Sequence, residues 1–150
     1  FEGFLSVTKK QRDEHLDEIK DFSRTLIFYE APHKLKNTLD DLYRVLGNRQ
    51  IALCRELTKI HEEVIKGTIS EMIERYKELT PRGEYVLVIA GKSREQLKAE
   101  ARKQWENMSV AEHVQMYMSQ GMDKKEAMKA AAKDRGVSKR DIYQELEGKA

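Results

Sequence analysis

The side chains best suited to chemistry lie in one run, residues 24–34. Its first half, residues 25–29, is β-branched and aromatic and has the length of a buried strand. Glu30 follows at the carboxyl end, and Pro32 stands where a helix can begin. Ligands of open α/β sheets bind at such strand ends, because a rigid scaffold holds the loops there. The run therefore predicts a binding site, although an ordinary strand-to-helix connection with solvated charges explains it equally well.

Acid–base chemistry by Glu30 and His33 is a second possibility for this run, but no recognisable partner orients either group. The other histidines, His15, His61 and His113, lack the spacing of metal ligands, and a lone cysteine does not complete a zinc set, so we predict no metal. The 8 glycines form no phosphate-binding loop. The sequence alone identifies no catalytic group.

Composition predicts one domain with a small appendage, because 150 residues can bury a single core. The net charge of +2 does not by itself point to nucleic acid. Residues 1–95 hold 17 basic and 17 acidic side chains, and residues 96–150 hold 11 and 9, so the excess lies in the last third. A local basic patch there comprises Lys124, Lys125, Lys129, Lys133, Arg135, Lys139 and Arg140. This patch indicates either a nucleic-acid contact or a solvated helix face.

Cys54 lies in an apolar run and cannot form an internal disulfide, which suits a reducing cytoplasm, and we expect it in the core. No apolar stretch approaches membrane-spanning length, and no signal peptide pattern is visible. The chain begins at Phe1 rather than at a methionine, so we expect a piece of a longer protein.

Hydrophobic periodicity predicts strands and helices that alternate along the first 93 residues, as in an α/β layer. Thr8 and Gln11 fit a capping box at the start of the first helix. The most hydrophobic run, residues 85–91, is typical of a central strand covered on both faces. The predicted strands are 25–29, 51–54, 63–67 and 85–91, and the helices run from Thr8 to about Phe22, from Leu35 to Leu46, and through Met72, Ile73, Tyr76 and Leu79.

The pattern changes near Arg94, where a polar segment with helix-forming residues replaces the alternation of strands and helices. Residues 94–107 form a helical linker in this interpretation, with Trp105 as its anchor. Three short helices follow, each opened by a cap pair. The pairs are Ser109 with Glu112, Asp123 with Glu126, and Ser138 with Asp141. The predicted domains are therefore residues 1–93 and 108–150.

The spacing of Ala132, Gly136, Val137 and Ile142 fits a helix-turn-helix, with a small residue at the helix crossing and glycine at the left-handed turn. Arg135 departs from the pattern, because an apolar residue is usual at that position.

Lys139 and Arg140 open the last predicted helix, at the end that would meet phosphates or a groove. This position predicts nucleic-acid contact by that helix. The alternative is a three-helix packing module with a basic exterior.

Several segments resemble, in order, those of the small-subunit ribosomal RNA methyltransferase I family, which belongs to the tetrapyrrole methylase fold. They are residues 1–5, 24–35, 46–47, 55–59 and 83–89. Members of this fold have two α/β domains with S-adenosylmethionine bound between them. The resemblance implies that this chain is the carboxyl-terminal sheet-and-helix domain of that fold, followed by a small all-helical helix-turn-helix domain.

The resemblance implies transfer of a methyl group from S-adenosylmethionine to the ribose 2′-hydroxyl of a cytidine in small-subunit ribosomal RNA. The positions it assigns to the cofactor are Tyr29, Glu30, Leu57, Thr58, Ile89 and Ala90. The candidate phosphate-binding residues are Lys9, Lys10, Arg12, His33, Lys34, Arg55, Lys59, Lys139 and Arg140. Lys34 departs from the arginine of the family, which weakens planar, bidentate recognition there.

No segment resembles the family's first domain, so we expect the chain alone to bind S-adenosylmethionine weakly or not at all. The resemblance also implies a homodimer. Two other functions stay open: a tetrapyrrole methylase that acts on a small molecule, and, more distantly, a non-enzymatic helix-turn-helix regulator that binds nucleic acid.

Overall fold

The protein is described by a computed structural model that covers residues 1–148. It divides into two compact units, Phe1–Ser93 and Arg94–Ala150. The final two residues of the predicted helix-turn-helix segment, Lys149 and Ala150, lie outside the described residues. The mixed sheet-and-helix class predicted for the first unit and the helical class predicted for the second are confirmed.

The first unit is built on a five-stranded sheet with the order β1-β2-β5-β3-β4. The strands are β1 Gly3–Phe4, β2 Leu26–Glu30, β3 Gln50–Arg55, β4 Glu63–Thr68 and β5 Tyr85–Ile89. β5 lies between β2 and β3, so the predicted central position of the most hydrophobic run is confirmed. Only β1 and β2 pair in parallel, and β5 is antiparallel to both of its neighbours. The carboxyl ends of β2 and β5 therefore lie at opposite edges of the sheet.

Three helices supply the other side of the core: α1 Lys9–Ile19, α2 Leu35–Leu46 and α3 Ile69–Arg75. Their apolar side chains pack against the inward residues of the sheet, among them Leu26 and Phe28 of β2. Burial alternates along β5, whose Val86 and Val88 are only half-buried. The prediction that both faces of this strand are fully covered is therefore wrong, because the helices cover one face.

Two predictions about the helices of the first unit are wrong. Thr8 makes no side-chain cap bond, and the Oε1 atom of Gln11 accepts a 2.9 Å hydrogen bond from the Ser6 hydroxyl. Leu79 lies beyond the end of α3 and is half-exposed.

The sequence-based description of the first unit misses one strand and misplaces one side chain. The strand β1 escaped prediction because two residues carry no periodic signal. Cys54 is half-buried rather than in the core, and its burial raises the pKa of the thiol.

The second unit contains α4 Arg94–Lys103, α5 Val110–Ser119, α6 Lys124–Arg135 and α7 Lys139–Glu147. All three predicted cap pairs form, and Gly136 ends α6 with a left-handed φ of 65°. A small core joins α5, α6 and α7 through Val110, Val114, Ala127, Met128, Ala131, Ala132 and Ile142. Val137 is exposed, and the helix that follows the turn is anchored by the buried Ile142 and the partly buried Leu146.

Arg135, which occupies a position where an apolar residue is usual, makes a polar contact inside this unit. Its Nε donates a 3.0 Å hydrogen bond to Nδ1 of the fully buried His113. Nε2 of the same ring lies 3.2 Å from Oδ2 of Asp134. Trp105 stacks on this ring with centroids 4.0 Å apart. His113 is therefore the residue on which the predicted tryptophan anchor packs.

Candidate functional site

Three of the segments singled out from the sequence meet at one edge of the sheet. β2 ends at Glu30, β3 ends at Arg55, and β5 begins between them at Tyr85, which pairs with both. Because paired strands are about 4.8 Å apart, these three residues span about 10 Å. The edge therefore brings together the loops that follow β2 and β3 and the loop that precedes β5.

Glu30 contributes structure to this edge. Its side chain is buried, with 4% of the residue exposed, and both carboxylate oxygens have donors. Oε2 accepts a 2.5 Å hydrogen bond from the hydroxyl of Thr38, and Oε1 accepts a 2.8 Å bond from the backbone N–H of Ala31. Glu30 thus fixes the path of the chain from β2 through the short 3-10 turn Pro32–Lys34 into α2.

A polar cleft of about 190 Å³ opens beside Glu30. Its lining residues are Leu5, Ser6, Val7, Arg12, Glu30, Lys34, Asn37, Thr38 and Asp41. Two predicted phosphate-binding residues, Arg12 and Lys34, therefore meet a predicted cofactor residue here. The arrangement offers both donors and acceptors to a polar ligand.

Arg12 holds the wall of this cleft together. Its Nε donates a 2.6 Å hydrogen bond to Asp41, and its Nη1 donates a 3.0 Å bond to the carbonyl of Ser6. Burial alone would raise the pKa of the Asp41 carboxyl, but hydrogen bonds from Arg44 and Arg12 outweigh burial and lower it. Arg12 therefore has less freedom to bind phosphate than Lys34, which lines the same cleft.

The loop after β3 carries unusual backbone. Glu56 and Thr58 have positive φ angles of 51° and 66°, although neither is glycine. The Thr58 N–H donates a 2.6 Å hydrogen bond to Glu62, and Lys59 lies 3.0 Å from Glu84. Non-glycine residues in the left-handed region cost free energy and concentrate at functional sites. This loop is the strongest structural indication of a binding site in the first unit.

Glu56 clamps this loop to the start of β5. Its backbone N–H donates to the Glu84 carbonyl at 2.9 Å, and its Oε1 accepts from the Glu84 N–H at 2.8 Å. That backbone donor and the nearby Lys59 ammonium lower the pKa of the Glu56 carboxyl. A Cβ on Gly83 would lie 2.5 Å from Oε1 of Glu56, so the glycine permits the close approach.

Three residues at this edge, Glu56, Gly83 and Glu84, are not among those predicted from the sequence. Gly83 follows Pro81 immediately before the most hydrophobic run, which was the available signal of a tight turn beside a strand end. The position of Gly83 beside the site could not be predicted without the direction of β5. Only an antiparallel β5 brings its first residues to the ends of β2 and β3.

Ile89 and Ala90 lie at the opposite edge of the sheet from the other proposed cofactor residues. Ile89 pairs with Leu26 and Ile51, four residues and therefore about 13 Å from Tyr85. Ala90 instead lines an open groove of about 300 Å³ with Thr25, Lys66 and other residues. The structure thus brings Tyr29 and Glu30 toward the loop of Leu57 and Thr58, and it separates Ile89 and Ala90 from them.

Apolar surface accompanies the polar groups at the first edge. The side chain of Tyr29 is 43% exposed and that of Leu57 is 38% exposed. Phe1 and Phe4 contact the Tyr29 ring edge-on, with centroid distances of 4.9 and 5.6 Å. The Tyr29 side chain projects from the face of β2 opposite to that of Glu30, so this apolar surface does not line the polar cleft.

The proposed phosphate-binding residues differ in their exposure and in whether an acidic side chain already lies beside them. Lys9, Lys10 and His33 are exposed, and Lys10 lies 3.9 Å from Glu14. Nε of Arg55 lies 3.4 Å from Glu63. Lys139 and Arg140 are exposed in the first turn of α7, in the second unit.

Residues 1–148 offer neither a metal site nor a membrane-spanning helix. No group of three or more His, Cys, Asp or Glu side chains in this part of the chain is placed to hold a metal ion. None of the helices formed by these residues is both long and apolar enough to cross a membrane.

Residues 2–73 match the family model of tetrapyrrole (corrin/porphyrin) methylases. Proteins named ribosomal RNA small subunit methyltransferase I from Halalkalibacterium halodurans and Bacillus subtilis are each 48% identical over 143 residues, which is 95% of this chain and 49% of each relative. The Synechocystis protein of the same name is 37% identical over 145 residues. The chain spans about half the length of the curated relatives it matches. Along 95% of its length, the chain is similar to proteins named ribosomal RNA small subunit methyltransferase I, and its residues 2–73 resemble the tetrapyrrole (corrin/porphyrin) methylases.

Proposed function

We propose that this chain is part of a methyltransferase that uses S-adenosylmethionine to methylate small-subunit ribosomal RNA, at the ribose 2′-hydroxyl of a cytidine. The observation that carries the proposal is the meeting of the β2, β3 and β5 loops at one sheet edge, in a chain similar to proteins of that name along 95% of its length. The loop with two left-handed non-glycine residues supports the proposal that this edge binds a ligand, since such strained backbone is common at functional sites.

S-adenosylmethionine fits the chemistry of this edge, because an adenine ring and a methionine chain need apolar surface beside hydrogen-bonding groups. Tyr29 and Leu57 supply exposed apolar surface, and the backbone around Glu30 and Thr58 supplies polar groups at the strand ends. When bound, the cofactor supplies an electrophilic methyl group. We place Ile89 and Ala90 outside this cluster, because they lie at the other edge of the sheet.

The residues of this chain bind and orient in this proposal. Glu30, held by Thr38 and Ala31, keeps the turn after β2 in place. Glu56 holds the loop after β3 against the start of β5. Fixed loops reduce the entropy lost when two substrates are brought into line for transfer. We assign no proton acceptor to this chain.

RNA phosphates would approach from the basic side of the same edge. His33 is exposed, Lys34 lines the polar cleft, and Lys9 and Lys10 are exposed at the start of α1. Lys59 and Arg55 flank the loop after β3 but are engaged with acidic side chains. These contacts would position RNA by charge and would not read its bases.

We further propose that the protein acts as a homodimer in the cytoplasm, where ribosomal RNA is found. Exposed apolar side chains on the sheet, including Phe4, Tyr29 and Val64, support self-association. Light scattering after size-exclusion chromatography tests this part, since a monomer mass at micromolar concentration would contradict it.

The main test is methyl transfer by a chimera in which this chain replaces the 143 aligned residues of the Bacillus subtilis relative. The chimera is incubated with small-subunit RNA and S-adenosylmethionine carrying a labelled methyl group. Nuclease digestion and mass spectrometry should find the label on a cytidine ribose. Label on a base, or transfer only to a small tetrapyrrole, would contradict the proposal.

Variants of the same chimera test the proposed edge. Leu57→Ala should weaken cofactor binding, measured by calorimetry, because it removes exposed apolar surface at the proposed site. Ala90→Val is the matched control, since it changes a small exposed residue at the opposite edge and should leave the affinity unchanged. Equal losses in both variants would place the cofactor elsewhere.

A further inference from the structure

One face of α6 carries three lysines at helical spacing, Lys125, Lys129 and Lys133, which we call the α6 lysine face. Residues four apart lie on the same side of a helix, about 6 Å apart along its axis. The three side chains therefore place three positive charges within about 12 Å. All three residues are exposed.

These charges are not neutralised by the fold. Within residues 1–148, none of the three ammonium groups lies within 4.0 Å of an acidic oxygen. Of the two acidic residues of α6, Asp134 faces α5, where it accepts a hydrogen bond from the Tyr117 hydroxyl. Glu126 is in the first turn and forms no such pair with Lys129.

The neighbouring helix offers a much weaker positive surface. α7 contains Lys139 and Arg140, but also Asp141, Glu145 and Glu147. Its two basic residues are thus outnumbered by three acidic ones. In a helix-turn-helix that inserts its last helix into a groove, the positive charge would concentrate on that helix. Here the positive charge concentrates on the preceding helix instead.

We propose that the α6 lysine face binds the phosphate backbone of an RNA duplex, and that α7 does not act as a recognition helix. The identification of the nucleic acid as RNA rests on the proposed function. Lysine is a flexible point charge, so the contact is electrostatic and independent of base sequence. Such a surface holds RNA against the protein while the strand-end site carries the specificity.

The test measures binding of the 150-residue chain to a short RNA duplex of arbitrary sequence, over a range of salt concentrations and without S-adenosylmethionine. The variant Lys125→Gln/Lys129→Gln/Lys133→Gln removes the face, and glutamine keeps a helix propensity close to that of lysine. Lys66→Gln/Lys98→Gln/Lys103→Gln is the matched control, because it removes three positive charges from other exposed positions. Circular dichroism checks that both variants remain folded.

The α6 variant should lose about tenfold or more in affinity at 100 mM salt. The slope of the logarithm of its binding constant against the logarithm of the salt concentration should become shallower by about two to three. The control variant should bind nearly as the parent chain does. Equal losses in both variants would show a simple effect of net charge and overturn the proposal. A loss in Lys139→Gln/Arg140→Gln without a loss in the α6 variant would overturn it in favour of α7. Because the readout needs no methyl transfer, it can fail or succeed independently of the proposed enzyme activity.

Discussion

The hydroxyl of Thr38 donates a 2.5 Å hydrogen bond to the buried carboxylate of Glu30. The two residues are eight positions apart, on α2 and at the end of β2, so the bond closes the turn between them. A buried carboxylate without donors is costly, and this one relies on Thr38 and on the backbone of Ala31.

Thr38→Val should destabilise the first unit by about 1–3 kcal/mol, because it leaves a buried carboxylate oxygen without its donor while preserving side-chain shape. Urea unfolding followed by far-ultraviolet circular dichroism measures the loss. Thr38→Ser is the control, since it keeps the hydroxyl and should retain most of the stability. A Thr38→Val protein as stable as the parent would mean that Glu30 finds another donor.

Much of the framework around these residues follows from sequence. The leucines of α2 recur at helical spacing, and the helix ends at Gly47, whose φ is 77°. The cap pairs of the second unit are local interactions within four residues, so the sequence predicts them directly. Both are confirmed.

Strand direction is what the sequence did not reveal. Nothing local in residues 85–89 distinguishes a parallel from an antiparallel strand, because the same apolar side chains fill a central position either way. Strand direction matters for the site, because the sequence-based prediction groups Ile89 and Ala90 with Glu30, whereas the structure places Tyr85 beside Glu30. The left-handed conformation of Glu56 is equally hard to predict from sequence, since it accompanies a contact with Glu84, 28 residues further along the chain.

Gly83→Ala should destabilise the first unit more than Gly47→Ala. Both glycines have positive φ, so both substitutions impose backbone strain. Only at Gly83 would the new methyl group meet a neighbour, the Glu56 side chain, at 2.5 Å, whereas nothing lies within 4 Å at Gly47. We expect losses of about 1 kcal/mol at Gly47 and about 2–3 kcal/mol at Gly83, measured by urea unfolding.

The ranking of the two glycine variants isolates the effect of crowding. If crowding is its cause, adding Glu56→Ala to the Gly83→Ala variant should recover part of the extra loss. Equal losses at the two glycines, with no recovery in the double variant, would show that backbone strain alone matters.

Arg49 fastens three chain segments through one buried side chain. Nε donates to the Leu46 carbonyl at 3.1 Å, Nη1 donates to the Ala90 carbonyl at 3.4 Å, and Nη2 donates to the Lys20 carbonyl. Arg49→Lys should lower the free energy of unfolding by about 2 kcal/mol or more, because an ammonium cannot reproduce the planar fork. Thermal unfolding by circular dichroism measures this.

Arg44→Lys is the matched control for Arg49, because Arg44 is a half-exposed arginine paired with Asp13 and Asp41. Exposed ion pairs contribute little, so the control should change the melting temperature only slightly. If Arg44→Lys costs as much as Arg49→Lys, the three carbonyl contacts are not the source of the stability.

His113 should make the stability of the second unit depend on pH. Burial lowers the pKa of its imidazole, a carboxylate partner at Asp134 opposes that shift, and the positive charge of Arg135 adds to it. The guanidinium donates to Nδ1, so the neutral ring suits this environment and a proton on Nδ1 would displace the bond. Because the unfolded histidine has a pKa of about 6.5, the unfolded chain binds the proton first as the pH falls.

The stability of the second unit should therefore be complete above about pH 6.5 and decrease as the pH falls toward 5.5, with a lower melting temperature there. Trp105, the single tryptophan of the chain, stacks on His113, so its fluorescence reports the unfolding of this unit. His113→Phe should be less stable at pH 7.5 but lose the dependence on pH in this range, whereas replacement of the exposed His61 by asparagine should leave it intact. A His113→Phe protein that keeps the same pH dependence would assign the effect to another group, because the only charge change that this variant removes between pH 5.5 and 7.5 is that of the buried imidazole.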